Sequence, residues 1–155
     1  MSSKKRRLWK TASTDEIDKY VLEINEEANS KCPVDRLRQF TEIAKNNSCG
    51  ECVICREGIY QLYIIINEIT NALGKNGDLD IIEEIVENLI EQSSCDYGKK
   101  VGQVIKKVIS EEQPEFEKHI KRKLCNAGVC EKLKKPEPIV TNTDGLGVKR
   151  RRRRS

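Results

Sequence analysis

At 155 residues, with 37% hydrophobic, 5% aromatic and 35% charged residues, the chain has the size of one compact domain with tails and a thin apolar core. Such a core is commonly completed by bound metal or a partner subunit. No apolar run approaches the roughly 18 residues of a membrane span and no apolar stretch follows the basic start, so the sequence reads as a cytoplasmic protein without span or secretory leader.

The net charge of +4 conceals an asymmetry. Eleven of the 29 basic residues lie in residues 1–10 and 149–155, which hold no acid, so residues 11–148 carry 18 basic against 25 acidic residues, a balance of −7. An acidic body with two basic ends argues against a phosphate-binding surface on the body itself. The odd count of seven cysteines, in a chain read as cytoplasmic, points to metal rather than to disulfides.

In chain order, residues 1–12 are expected to be a flexible basic arm that carries the sole tryptophan, Trp9. Ser13 and Glu16 have capping-box spacing. Ile17, Tyr20, Val21, Ile24 and Ala28 then mark an amphipathic helix over about residues 14–29. Pro33 suits the first turn of a second helix, with Val34, Leu37, Phe40, Ile43 and Ala44 on its apolar face. Residues 48–58 read SCGECVICREG and lead into the most strongly marked helix, striped by Ile59, Leu62, Tyr63, Ile66, Ile69 and Leu73, with Gly74 as its expected stop.

Asp78 or a neighbour caps the next helix, lined by Ile82, Ile85, Val86, Leu89 and Ile90 and ending near Cys95. A fifth carries Val101, Val104, Ile105, Val108 and Ile109. Capping-box spacing from Ser110 to Gln113, ahead of Pro114, predicts a break and a last short helix with Phe116, His119 and Ile120. The fold class is therefore all-α, an antiparallel bundle with metal sites at helix ends, comprising residues 13–130 between the basic arm and an extended basic tail over 131–155.

Cys49, Cys52 and Cys55 form a C-x2-C-x2-C run. Three thiolates at that spacing, with a fourth from a distant place, are a pattern that holds a [4Fe–4S] cluster. Cys95 is the expected fourth, because an antiparallel helical hairpin returns the chain to the same end. Structural zinc on the same four residues remains the alternative, although four-thiolate zinc sites usually present two C-x2-C knuckles. Cys52 and Cys55 would lie at a helix N-terminus, which favours thiolate. Gly50 and Arg56 are the expected tuners of the cluster. Cys32, His119, Cys125 and Cys130 are left over, a three-thiolate, one-imidazole set suited to zinc. The competing reading is an ordinary helix histidine and free thiols.

The motif over residues 48–58 resembles the SCGxCxxCREG signature of the flavin subunit of NADH:quinone oxidoreductase, shared by the related subunit of NAD-dependent electron-bifurcating hydrogenases and transhydrogenases. The resemblance continues through Ser94 and Cys95, through residues 115–120 (EFEKHI), and into residues 125–130 (CNAGVC), similar to the CPAGVC ending of hydrogenase-type members. It spans about residues 33–130 and implies a helical domain with one [4Fe–4S] cluster on Cys49, Cys52, Cys55 and Cys95. Those subunits carry a flavin- and NADH-binding domain before this region. Here there is no Gly-rich phosphate loop and no alternating βα pattern. The resemblance therefore implies the iron–sulfur domain as a separate small chain, relaying electrons beside a flavin- and NAD(P)-binding subunit and other iron–sulfur subunits.

The sequence shows no nucleophile–base pair and no catalytic carboxylate constellation, so no catalytic residue is expected. The runs at residues 4–7 and 149–154 would ordinarily suggest nucleic acid, but no aromatics interleave with them. Solvated arms, or arms that pair with an acidic subunit, are the preferred reading. The alternative function is an iron–sulfur or zinc-binding regulatory module that contacts nucleic acid through its basic termini, with the steep salt dependence this entails.

Overall fold

Apolar residues at helical spacing become the buried faces of five α-helices among the described residues, with no strand. The computed structural model describes residues 14–48 and 50–137. The basic arm with Trp9 and Ser13, Cys49, residues 138–155, and the side chains of Glu16, Ile17, Tyr20 and Ile24 lie outside the described residues.

The helices are α1 (Thr14–Glu27), α2 (Pro33–Asn47), α3 (Val53–Thr70), α4 (Asp78–Gln92) and α5 (Asp96–Glu117), followed by a π-helical turn (Lys118–Arg122). α5 touches all four others, and α2 packs along α3 as α3 packs along α4. Val21 and Ala28 from α1 and its exit, Leu37 and Phe40 from α2, Ile59, Leu62 and Ile66 from α3, Val86 and Leu89 from α4, and Ile105 and Phe116 from α5 form one buried core. At about 25 cal/mol per Å² of apolar surface, this burial is the main force holding the bundle together.

Local chemistry sets the helix ends. Pro33 occupies the first turn of α2, where its missing N–H costs nothing. α3 stops at Thr70, ahead of the expected Gly74. Ala72 takes the left-handed conformation (φ 65°) and the Leu73 N–H closes back on the Glu68 carbonyl at 2.9 Å. This turn carries Leu73 outward, and it is 62% exposed rather than part of the expected stripe. Gly74 serves close packing instead, since a Cβ there would lie 3.1 Å from Ile69 and 3.4 Å from Ile120. Gly77 caps α4, and the Asp78 carboxylate accepts the Lys75 N–H at 2.7 Å.

The expected break falls where the sequence places it, two residues before Pro114, where two helical stretches meet at a kink. The kink lies at Glu112 (φ −114°, ψ 20°), where the proline ring and its missing N–H disturb the preceding turn. The short stretch beyond the kink runs on into the π-helical turn and carries Phe116, His119 and Ile120, all buried.

The Tyr97 hydroxyl donates to the Ala44 carbonyl at 2.8 Å and pins the start of α5 to the end of α2. Tyr97→Phe is expected to lower stability by about 1 kcal/mol, seen as a lower denaturation midpoint with an unchanged slope. No helix among the described residues is long and apolar enough to cross a membrane.

Candidate metal centres

Two helix N-termini meet at the first cysteine set. Cys52 is the N-cap of α3, and its sulfur accepts the Cys55 N–H at 3.5 Å. Cys95 is the N-cap of α5, and its sulfur accepts the Gly98 N–H at the same 3.5 Å. Sequence reasoning places Cys95 only at the far end of α4. The structure shows it doing for α5 what Cys52 does for α3, so both sulfurs sit at positive helix ends. Cys-x-x-Gly following the C-x2-C run is the sequence signal that would have disclosed this.

The three thiols act on one another. Cys95 is lowered to about 6, first by the hydrogen bond from Cys55, against burial, with the Gly98 N–H and Cys52 also lowering it. Cys55 is raised, first by donating to Cys95 and then by burial. Cys52 and Cys55 are buried while Cys95 is half-buried, so the set lies just under the surface. Cys49 lies outside the described residues.

The surroundings fit a cluster. The donors brought together are thiols, the ligands iron–sulfur clusters use, and the backbone around them is held close. A Cβ on Gly98 would lie 2.7 Å from Ser93 Oγ, 3.0 Å from Cys55 Cβ and 3.1 Å from Cys55 Sγ. Gly98→Ala is therefore expected to push Cys55 out of place and to cut retained iron by more than half, by metal analysis. Gly50, at φ 77°, turns the loop before α3. Arg56 Nη1 donates to the Gly50 carbonyl at 2.9 Å and Arg56 Nε to Glu57 at 2.9 Å, which braces that loop. Ser48 Oγ lies 3.9 Å from Cys55 Sγ. Sequence reasoning overlooks Ser48, Ser93 and Gly98, because their closeness to the thiols arises from helix packing.

The second set is also brought together. One ligand atom from each of Cys32, His119, Cys125 and Cys130 lies within 4.8 Å of the other three, and all four residues are buried. Ligands at about 2.0–2.3 Å from one zinc ion lie within about 4.6 Å of each other, so the spread suits a single ion closing on them. His119 is fully buried, contrary to an ordinary helix histidine. Its Nδ1–H donates to the Glu115 carbonyl at 2.7 Å, which leaves Nε2 facing Cys32 Sγ at 3.2 Å and Cys130 Sγ at 3.7 Å. This arrangement fixes the tautomer a metal needs.

Cys32 is lowered to about 4, first by the hydrogen bond from Cys130, with burial opposing and His119 assisting. His119 is raised to about 9, since its bond to Cys32 and the charge there outweigh burial. Cys130 is raised by donating to Cys32 and by burial.

Surrounding backbone positions this set. Cys32 is the N-cap of α2, and His119 lies in the π-helical turn, which Lys123 ends at φ 51°. The chain then doubles back. Cys125 N–H donates to the Lys134 carbonyl at 2.9 Å and Lys134 N–H to the Lys123 carbonyl at 2.8 Å, while Leu133 is buried. The Glu115 carboxylate accepts from Lys118 at 2.8 Å and Asn126 at 2.6 Å, tying α5 to the Cys125–Cys130 loop. Burial alone would raise Glu115. These two bonds lower it net, so their stabilisation is lost as pH falls below the ordinary glutamate range.

The chain is an all-α bundle that gathers cysteines at two helix N-termini. Residues 35–119 match the family described as the NADH-ubiquinone oxidoreductase-F iron-sulfur binding region, and the chain belongs to that family. It is 30% identical over 102 residues to the NADP-reducing hydrogenase subunit HndC of Solidesulfovibrio fructosivorans, covering 66% of this chain and 21% of that protein. It is 32% identical over 94 residues to a subunit of the NADH-quinone oxidoreductase of Streptomyces coelicolor, covering 61% and 21%. With NADH dehydrogenase [ubiquinone] flavoprotein 1, mitochondrial, of Dictyostelium discoideum it shares 30% over 102 residues, covering 66% and 21%. The chain thus spans about a fifth of the length of these curated relatives.

Proposed function

We propose that this chain is the iron–sulfur electron-transfer element of a multi-subunit, NAD(P)-linked flavin oxidoreductase, of the kind its relatives' names describe. In this reading Cys49, Cys52, Cys55 and Cys95 hold a [4Fe–4S] cluster, and Cys32, His119, Cys125 and Cys130 hold a zinc ion. The observation that carries it is the meeting of Cys52, Cys55 and Cys95 at the N-termini of α3 and α5. A cluster bound there supplies reversible one-electron transfer.

The protein's own residues position and tune. Helix N-termini and the amides of Cys55 and Gly98 direct N–H groups at cysteine sulfur, which favours added negative charge. Arg56 holds the Gly50 turn and adds a positive charge beside it. The half-buried Cys95 leaves one edge of the site near the surface, where a partner's redox centre can approach. Cys32 and Cys130, 98 residues apart, belong to the second set, so an ion there joins the start of α2 to the chain beyond α5. The donor of electrons is a flavin- and NAD(P)-binding subunit, other iron–sulfur subunits accept them, and the assembly is cytoplasmic.

The test is metal analysis of the anaerobically purified complex. About four iron and four sulfide for each copy of this chain, as a cubane contains, with one zinc, support the reading. Zinc without sulfide overturns it.

A further inference from the structure

We propose that the Ser93 hydroxyl is a hydrogen-bond donor to sulfur at the cluster site, either Cys55 Sγ or a sulfide bound beside it, and that it raises the reduction potential there. This rests on the cluster assignment to Cys55 and Cys95 made above.

Ser93 is the C-cap residue of α4, and its backbone N–H donates to the Leu89 carbonyl at 3.3 Å. The residue is only 3% exposed, and among the described residues Ser93 Oγ is the buried side-chain oxygen or nitrogen without a hydrogen-bond partner. Native proteins rarely leave a buried hydroxyl unpaired, and an orphan calls for a ligand or a function. The hydroxyl lies 2.7 Å from the point a Gly98 Cβ would occupy, and Cys55 Sγ lies 3.1 Å from that same point. Glycine at position 98 therefore leaves open the gap between this hydroxyl and the thiol. A serine hydroxyl can donate one proton, and the Cys55 sulfur lies across that gap from it, not yet bonded to it.

The chemistry follows from charge. One-electron reduction adds negative charge that spreads over the sulfurs, and a hydrogen bond to an anionic acceptor is stronger than one to a neutral acceptor. The O–H bond to sulfur therefore strengthens on reduction and favours the reduced form. The proton stays on oxygen throughout, and only the electron is exchanged with the partner. The neighbouring Ser48 hydroxyl accepts the Gly50 N–H at 3.3 Å and lies 3.9 Å from Cys55 Sγ, so it already has partners where Ser93 Oγ has none.

The experiment is an EPR-monitored redox titration of the whole complex carrying Ser93→Ala, Ser93→Thr or Ser93→Cys, with iron and sulfide counted on each. Ser93→Ala is expected to keep its iron and sulfide and to shift the midpoint negative by about 59 mV, a tenfold change in a one-electron equilibrium. Ser93→Thr should hold the unmodified potential, and Ser93→Cys, a weaker donor, should fall between. An unchanged potential in a fully loaded Ser93→Ala complex overturns the proposal. So does loss of iron from all three variants alike, which would make Ser93 a packing residue. Absence of iron and sulfide from the unmodified complex overturns the cluster assignment beneath it, a separate and visible failure.

Discussion

Cys55→Ser is expected to empty the first site: iron falls from about four per chain to below about one, and the visible cluster absorbance and EPR signal go with it. Cys55 is fully buried, lies beside Cys95, and is packed against Gly98 at the meeting of α3 and α5. Serine is nearly the same size but binds iron as a hard alkoxide rather than a soft thiolate, a poor match for a sulfur-ligated cluster. The helices themselves should persist, because Ile59, Leu62 and Ile66 continue the buried face of α3 beyond the site. Far-UV circular dichroism should therefore change little while electron transfer through the complex is lost. Cys95→Ser should act in the same direction, with a partial effect admitted by its half-exposed position. Retention of full iron by Cys55→Ser would remove Cys55 from the ligand set.

Loss of the second site should appear as instability rather than as colour. An ion bound by Cys32 and Cys130 closes a loop of 98 residues. In a chain-entropy view, a closure of about 100 residues contributes about 4–5 kcal/mol. At about 2–4 °C per kcal/mol for a domain of this size, Cys125→Ser or chelation should lower the melting temperature by about 10–15 °C. Zinc content should drop to near zero, while iron stays at the unmodified level. His119→Ala should do the same, since its Nε2 is the atom that faces Cys32 and Cys130. An unchanged melting temperature and zinc content in Cys125→Ser would show that the four residues do not hold a metal.

Much of this arrangement is legible in the chain. Helical periodicity locates α2, α3, α4 and the first part of α5, because Leu37, Ile59, Ile66, Val86 and Ile105 repeat at the spacing that one buried face requires. Both cysteine sets can be grouped by residue type and by the hairpin geometry that returns Cys95 to Cys55. The misread points are those where tertiary packing overrides local signals. The break before Pro114 is not among them, since α5 kinks at Glu112, inside the Ser110–Gln113 segment. Gly74 has the look of a helix stop, but Ala72 takes the left-handed position and Gly74 admits Ile120.

Ser93 gives no sequence signal of its own, and Gly98 signals only the N-cap at Cys95, not its contact with Cys55. Their importance depends on α5 and the end of α4 passing within contact of Cys55, a relation between chain positions about 40 residues apart that periodicity does not express. The return of residues 131–135 over the second site, with Leu133 buried, is likewise a product of backbone pairing between Cys125 and Lys134.

The most direct test of the central claim is to purify the native assembly anaerobically and count iron, acid-labile sulfide, zinc and flavin on the complex that contains this chain. About four iron and four sulfide assignable to it, one zinc, and flavin on a co-purifying subunit are the predicted result. A chain that emerges alone with zinc and no sulfide would contradict the account of an electron-relaying subunit.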